Sequence, residues 1–206
     1  MKTIIEQAIE KWPSAYIPSY ALRPLVQRDG AAYHSAVKRA LSAGLLVQIR
    51  KGLYAIQGRL PHPYEVAQEL HGPSFISLES ALSYHGWIPE AVYTTTSACI
   101  ERSMEIRTSI GIFAYEAVPV EAFYLGVRRI EGASTFLMAS PWRALADVIH
   151  RQKRQWPDLA AMRTDLRVDL EVILESDLGI LDGLCCAYPN RRVRETLKRL
   201  ARSLGR

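Results

Sequence analysis

The sequence predicts an α+β fold in two domains, and three observations carry that prediction. Residues 2–43 repeat apolar side chains at three- and four-residue steps, and residues 45–56 then alternate, so helices give way to a hairpin. Gly58–Pro63 (GRLPHP) is a proline-containing connector. Beyond it, β-branched and paired segments between residues 90 and 138 precede a helical tail. The expected division is residues 1–60 and residues 61–206.

In the first domain, Ile4, Ile5, Ala8, Ile9 and Trp12 mark one helical stripe over Lys2–Trp12, and Pro13 stops it. A second helix is expected from Pro18 or Ser19 to Arg28, with Ala21, Leu22 and Leu25 as its inner face. Asp29-Gly30 is a turn signal. A third helix runs over Ala31–Ala43 and ends at Gly44, with Tyr33, Val37, Ala40 and Leu41 inward. Leu45, Val47 and Ile49 then alternate with Leu46, Gln48 and Arg50, and Lys51-Gly52 turns the chain into Leu53–Ile56.

Three short helices followed by a basic-tipped ribbon is the layout expected of a winged helix-turn-helix. In that arrangement the third helix enters the DNA major groove and the ribbon touches backbone or minor groove. The candidate DNA contacts are therefore His34, Ser35, Lys38, Arg39 and Ser42 on the third helix, with Arg50 and Lys51 at the wing tip. Lys and Arg neutralise phosphates or read guanine edges, while His and Ser suit close base or phosphate contact. A basic solvated face on a protein-interaction module gives the same pattern, because fold does not fix function. Tyr33 and Tyr54 read as core or groove-lining aromatics rather than base-stacking ones.

The second domain is expected to be a small mixed sheet with helices. Pro63–Leu70 is helical; Ser77 reads as the N-cap of a helix through Leu78, Ala81 and Leu82 that ends at His85-Gly86. Glu90–Ala98 reads as a strand, Met104–Ser109 pairs with Ile110–Val118, and Phe123–Ile130 pairs with Ser134–Met138. Ser140-Pro141 opens a helix whose stripe is Trp142, Leu145, Ala146 and Ile149. Pro157–Arg167 and Val168–Glu175 are further helices. The basic tail Asn190–Leu204 carries the stripe Val193, Leu197, Leu200, Ala201 and Leu204; it suits a closing helix, a second phosphate-contacting element or a partner-docking element.

Composition bounds the function. At 206 residues, 49% hydrophobic and 23% charged, the chain has enough apolar side chain for a core, which excludes wholesale disorder. No apolar run is long enough to span a membrane, and Glu6, Gln7, Glu10 and Lys11 interrupt any secretory h-region. Cys99, Cys185 and Cys186 make neither a disulfide framework nor a zinc spacing, so a reduced cytoplasmic protein is expected. The net charge of +5 is uneven: residues 1–61 carry nine Lys/Arg against three acids, residues 62–150 five against ten, and residues 151–206 twelve against eight. A basic head suits nucleic acid and an acidic middle suits a protein partner.

Catalytic patterns are sparse. His34, His62, His71, His85 and His150 are dispersed, and no HExxH, CxxC, GxSxG or phosphate-cradling loop occurs. Ser77, Ser80 and Ser83 beside His85 read better as a cap and packing residues than as a hydrolase site. The three cysteines read as small buried residues. No enzymatic turnover, metal or cofactor is expected. A ligand-sensing regulator remains an alternative, since the second domain can hold a small-molecule pocket.

The ordered segments YHSAVKRALSAGLLVQIRKGLYAI (33–56), PYEVAQEL (63–70) and FISLESALSYHGWIPEAVYTTTSA (75–98) resemble the AbiEi-type antitoxins of type IV toxin–antitoxin and phage-abortive systems. Arg50, Gly52 and Tyr54 match the family's RxGxY wing, and the SLESALSYHG helix opens its C-terminal antitoxin domain. The resemblance covers most of residues 30–150. It implies a cytoplasmic autorepressor that binds double-stranded DNA at an inverted-repeat operator, as a monomer or dimer in solution and paired on DNA. It also implies a cognate nucleotidyltransferase-type toxin as partner, toward which the acidic middle offers charge complementarity.

Overall fold

The computed structural model describes residues 2–59 and 61–206; Met1, and Leu60 within the expected connector, lie outside the described residues. The chain is α+β and forms two compact units, Met1–Val66 with Arg107–Gly111, and Ala67–Ile106 with Ile112–Arg206.

The first unit places helices α1 (Ile4–Lys11), α2 (Ser19–Val26) and α3 (Gly30–Ser42) with strands β1 (Tyr16–Pro18), β2 (Leu46–Arg50) and β3 (Leu53–Ile56). Thr3 starts α1 with a capping box: its Oγ1 accepts from the Glu6 N–H, and the Glu6 carboxylate accepts from the Thr3 N–H. Arg59 closes the far end, donating to the carbonyls of Ile9, Trp12 and Ser14. That arginine belongs to the basic head by count, but its charge serves the helix C-terminus.

The link after Pro13 contains a strand that periodicity does not reveal. β1 pairs antiparallel with β3, Ile17 opposite Tyr54, giving the sheet order β1-β3-β2. Its three residues are too few for an alternation signal, and Pro18 is tolerated because the strand is an edge. The hairpin also departs from strict alternation. Pairing skips from Gln48–Tyr54 to Arg50–Leu53, so Ile49 is a bulged residue, and Leu46 and Ile49 are the two residues of β2 turned inward.

The core of this unit joins Ile5, Ala8, Ile17, Leu22, Val26, Tyr33, Val37, Ala40, Leu46, Tyr54 and Ile56. On α2 the inner face is Leu22 and Val26; Leu25, expected inside, is 41% exposed because the buried pair follows the four-residue step. α3 ends in a Schellman motif, with Leu45 N–H donating to Ala40 O and Gly44 N–H to Leu41 O.

α4 (Pro63–Leu70) leads into the second unit. There β4 (Ser74–Ile76), β5 (Thr94–Cys99), β6 (Met104–Thr108), β7 (Gly111–Ala117), β8 (Val127–Ile130) and β9 (Phe136–Ala139) form a mixed sheet in the order β6-β7-β5-β4-β9-β8. β4 lies antiparallel to β5 and parallel to β9, and β5 is parallel to β7. Central β4 escapes a sequence reading for the same reason as β1: three residues carry no period. β5 starts at Thr94, four residues later than expected, where its pairing with Ile112 begins.

Helices α5 (Leu78–Tyr84), α6 (Pro141–Gln152), α7 (Leu159–Leu166), α8 (Leu170–Leu174), α9 (Leu178–Ala187) and α10 (Arg191–Ser203) complete the unit. α5 packs on β5 and α6, while α6 also meets β9, α9 and α10. α6 starts as expected, with Ser140 Oγ accepting from the Arg143 N–H and Pro141 in the first turn. α9 lies within the helical tail but is not marked out by its spacing: Gly179 and Gly183 weaken the helical pattern, and Asp177 Oδ1 caps it by accepting from the Gly179 N–H at 3.0 Å.

A buried ionic centre holds this unit together. Asp147 accepts from Arg143 Nε at 3.0 and 3.1 Å, from the Ser77 hydroxyl at 2.7 Å and from the Tyr188 hydroxyl at 3.1 Å. Arg143 Nη1 donates to the carbonyls of Ala122 and Leu125, and the guanidinium lies over the Phe75 ring. Those two carbonyls belong to turns, so Phe123–Gly126, expected to extend a strand, stays irregular. Burial and the Asp147 carboxylate push the Tyr188 phenol far above its ordinary range.

Ser77 therefore does not cap α5 with its side chain. Thr96 on β5 takes that role: its Oγ1 accepts from the Ser80 N–H at 2.9 Å and donates to Ser77 O at 2.8 Å, while Ser80 Oγ accepts from the Thr96 N–H.

Candidate nucleic-acid interface

α3 separates its residues cleanly. Tyr33, Val37 and Ala40 are buried, whereas His34, Ser35, Lys38, Arg39 and Ser42 are all exposed. At 3.6 residues per turn these five span an arc of about 140°, opposite the buried stripe. Neither α3 nor the β2–β3 hairpin contains an Asp or Glu, so the cations of both elements have no carboxylate on their own segment.

Arg50 and Lys51 are exposed at the hairpin turn. The turn is fixed by α2: the Ser19 N–H donates to Gly52 O at 2.7 Å. The Ser19 hydroxyl in turn accepts from the Tyr33 hydroxyl at 3.3 Å, and Tyr33 is a core residue of α3. One serine thus ties the hairpin turn, the start of α2 and the inner face of α3 together. Tyr33 and Tyr54 are both buried rather than available for stacking.

Two features modify the face that the sequence outlines. Arg39 Nε donates to its own helix at Ser35 O, 3.3 Å away, which leaves the Nη groups to reach outward. Arg23 on α2 sits over the Tyr33 ring at 5.1 Å, and the His34 ring meets Tyr33 edge-on at 5.6 Å. Arg23 therefore adds a cation beside the face. Only the position of α2 against Tyr33 reveals it.

The tail helix is a different case. Val193, Leu197, Leu200 and Ala201 are buried, and α10 packs on α6, α7 and α9. Three of its five arginines grip backbone oxygens: Arg192 holds His150 O, Arg194 holds Tyr188 O and Pro189 O, and Arg199 holds Trp156 O. Of the three roles open to this segment, the contacts support the closing helix.

The serine and histidine groups of α5 are likewise engaged elsewhere. The Ser77 hydroxyl is on Asp147, and His85 Nε2 lies 2.9 Å from Ala139 O. Cys99 and Cys185 are buried and Cys186 is exposed. Among the described residues, no three His, Cys, Asp or Glu side chains gather as metal ligands, and no helix is long and apolar enough to cross a membrane.

The chain is similar in fold to the crystal structure of the RV2827C protein from Mycobacterium tuberculosis, with a TM-score of 0.57 and 15% sequence identity over 98% of this chain and 78% of that one. No family model matches the chain, and no curated protein matches its sequence.

Proposed function

We propose that this protein is a sequence-specific DNA-binding repressor, with its first unit a winged helix-turn-helix whose α3 enters the major groove and whose β2–β3 hairpin is the wing. The observation that carries the reading is the exposed, acid-free face of His34, Ser35, Lys38, Arg39 and Ser42, with Arg50 and Lys51 at the hairpin turn. An α-helix fits the major groove, and Arg or Lys there pairs with guanine or phosphate. The Ser19 bridge supports a fixed relation between helix and wing, as groove reading requires.

The second half of the proposal is an antitoxin role against a nucleotidyltransferase-type toxin, with repression of the protein's own promoter. Its support is the resemblance of residues 33–98 to AbiEi-type antitoxins. Footprinting on the DNA upstream of the coding sequence tests the repressor half: two protected half-sites in inverted orientation are expected, and uniform partial protection would count against it. Co-purification with the adjacent gene product tests the antitoxin half, which fails if the two proteins neither associate nor affect growth together.

A further inference from the structure

A groove of about 380 Å³ lies in the first unit between the start of α1 and α3. It exists because Ala36, Ala40 and Ala43 recur at four- and three-residue steps on α3, leaving room that larger side chains would fill. Ile4, 39% exposed, and Leu45 extend this apolar wall. Three cations border it. Lys2 is already paired with Glu10 at 2.7 Å, which leaves the guanidinium groups of Arg28 and Arg39. Among the described residues neither has a carboxylate partner within ion-pair distance.

An apolar wall lined by two guanidinium groups that lack carboxylate partners matches a ligand with an apolar body and one planar anionic head. The size falls within the range of small-molecule sites, and guanidinium binds carboxylate through parallel hydrogen bonds. We propose that this groove binds a small amphipathic carboxylate, with its chain along the alanine stripe and its head at Arg28 and Arg39. Arg39 also belongs to the face assigned to DNA, so the bound carboxylate withdraws that cation and weakens the complex with DNA. This regulatory consequence rests on the DNA reading; the ligand site itself does not.

Equilibrium dialysis of decanoate against the full chain, below its micellar concentration, tests the site. One saturable molecule per chain is expected, with decanol bound at least tenfold more weakly. Octanoate is expected to bind about tenfold more weakly than decanoate, as loss of two buried methylenes requires. R28Q removes one cation and A43L fills the groove; each is expected to weaken decanoate at least fivefold while circular dichroism confirms the fold. Non-saturating uptake, equal affinity for decanol, or indifference to both variants overturns the site. So does a dimer in sedimentation that A43L dissociates, since a second copy then covers the groove. In a separate arm, saturating decanoate is expected to lower affinity for upstream DNA at least threefold. Unchanged affinity there overturns the regulatory step, whereas a chain that binds no DNA overturns the repressor reading and leaves the dialysis result to decide the site.

Discussion

The Ser19 backbone N–H donates to Gly52 O at 2.7 Å, joining the first residue of α2 to the hairpin turn that carries Arg50 and Lys51. Gly52 has φ +85°, and a Cβ there would meet Ser19 Oγ at 3.5 Å, an ordinary contact. The turn therefore needs glycine for its backbone conformation and not for space.

Gly126 differs, and the pair makes a prediction. Its φ is +74°, but a Cβ would also meet Ile180 Cγ2 at 2.9 Å, Arg143 Cβ at 3.0 Å and Ser140 Oγ at 3.1 Å. G52A is expected to lose about 1–2 kcal/mol from the left-handed conformation alone. G126A adds overpacking of about 1–3 kcal/mol to a similar strain. Urea unfolding of the two variants checks the order; equal losses would contradict the packing argument.

Asp147 is 0% exposed and Arg143 1%, so removing one charge strands the other. D147N is expected to destabilise by about 3–5 kcal/mol, because the guanidinium remains buried without its counter-ion. S77A removes one of several donors to Asp147 and is expected to lose about 1 kcal/mol. A chemical denaturation series in which S77A matches D147N would refute the assignment of Asp147 as the centre of the network.

Burial lowers the pKa of both His85 and His150 from the ordinary 6.5, and His150 Nδ1 has no hydrogen-bond partner. A lowered imidazole pKa means that the unfolded chain binds protons first as pH falls. Stability is therefore fully present above about pH 6.5 and declines below it, toward the folded-state values. Melting temperatures measured from about pH 7.5 down to about pH 5.5 are expected to fall, and to fall less in an H85Q/H150Q variant. An identical slope in the parent and the variant would assign the effect to other groups.

The cysteines differ in reactivity by position. Burial pushes the Cys99 and Cys185 thiols up to about 11, whereas Cys186 is exposed. Titration with a chromogenic disulfide at about pH 8 is expected to modify Cys186 rapidly and the other two only on unfolding. Fast reaction of all three in the folded protein would contradict the packing around β5 and α9.

The parts legible in the sequence are those whose physics is local. The split of α3 into a buried stripe and an exposed basic face follows from spacing alone, as do the Ser140-Pro141 start of α6 and the stripe of α10. What stays hidden depends on partners distant in the chain. β1 and β4 are three-residue strands that exist through pairing with β3, β5 and β9. The Ser77 hydroxyl looks like a cap until Asp147, 70 residues later, is seen to accept from it. Ile49 fits a strict alternation until the bulge shifts the register. Arg59, Arg192, Arg194 and Arg199 count as surface charge in composition, yet each donates to backbone oxygens.

The most direct test of the repressor reading is fluorescence anisotropy of the protein on its upstream DNA and on unrelated DNA across a salt series, beside K38A/R39A and R50A/K51A. The parent is expected to prefer its own sequence at moderate salt. K38A/R39A is expected to lose that preference, while R50A/K51A weakens both DNAs alike and lowers the log–log salt slope by about 0.9 for each phosphate contact removed. Weak binding that ignores sequence and is unchanged in both variants would contradict the placement of α3 in the groove.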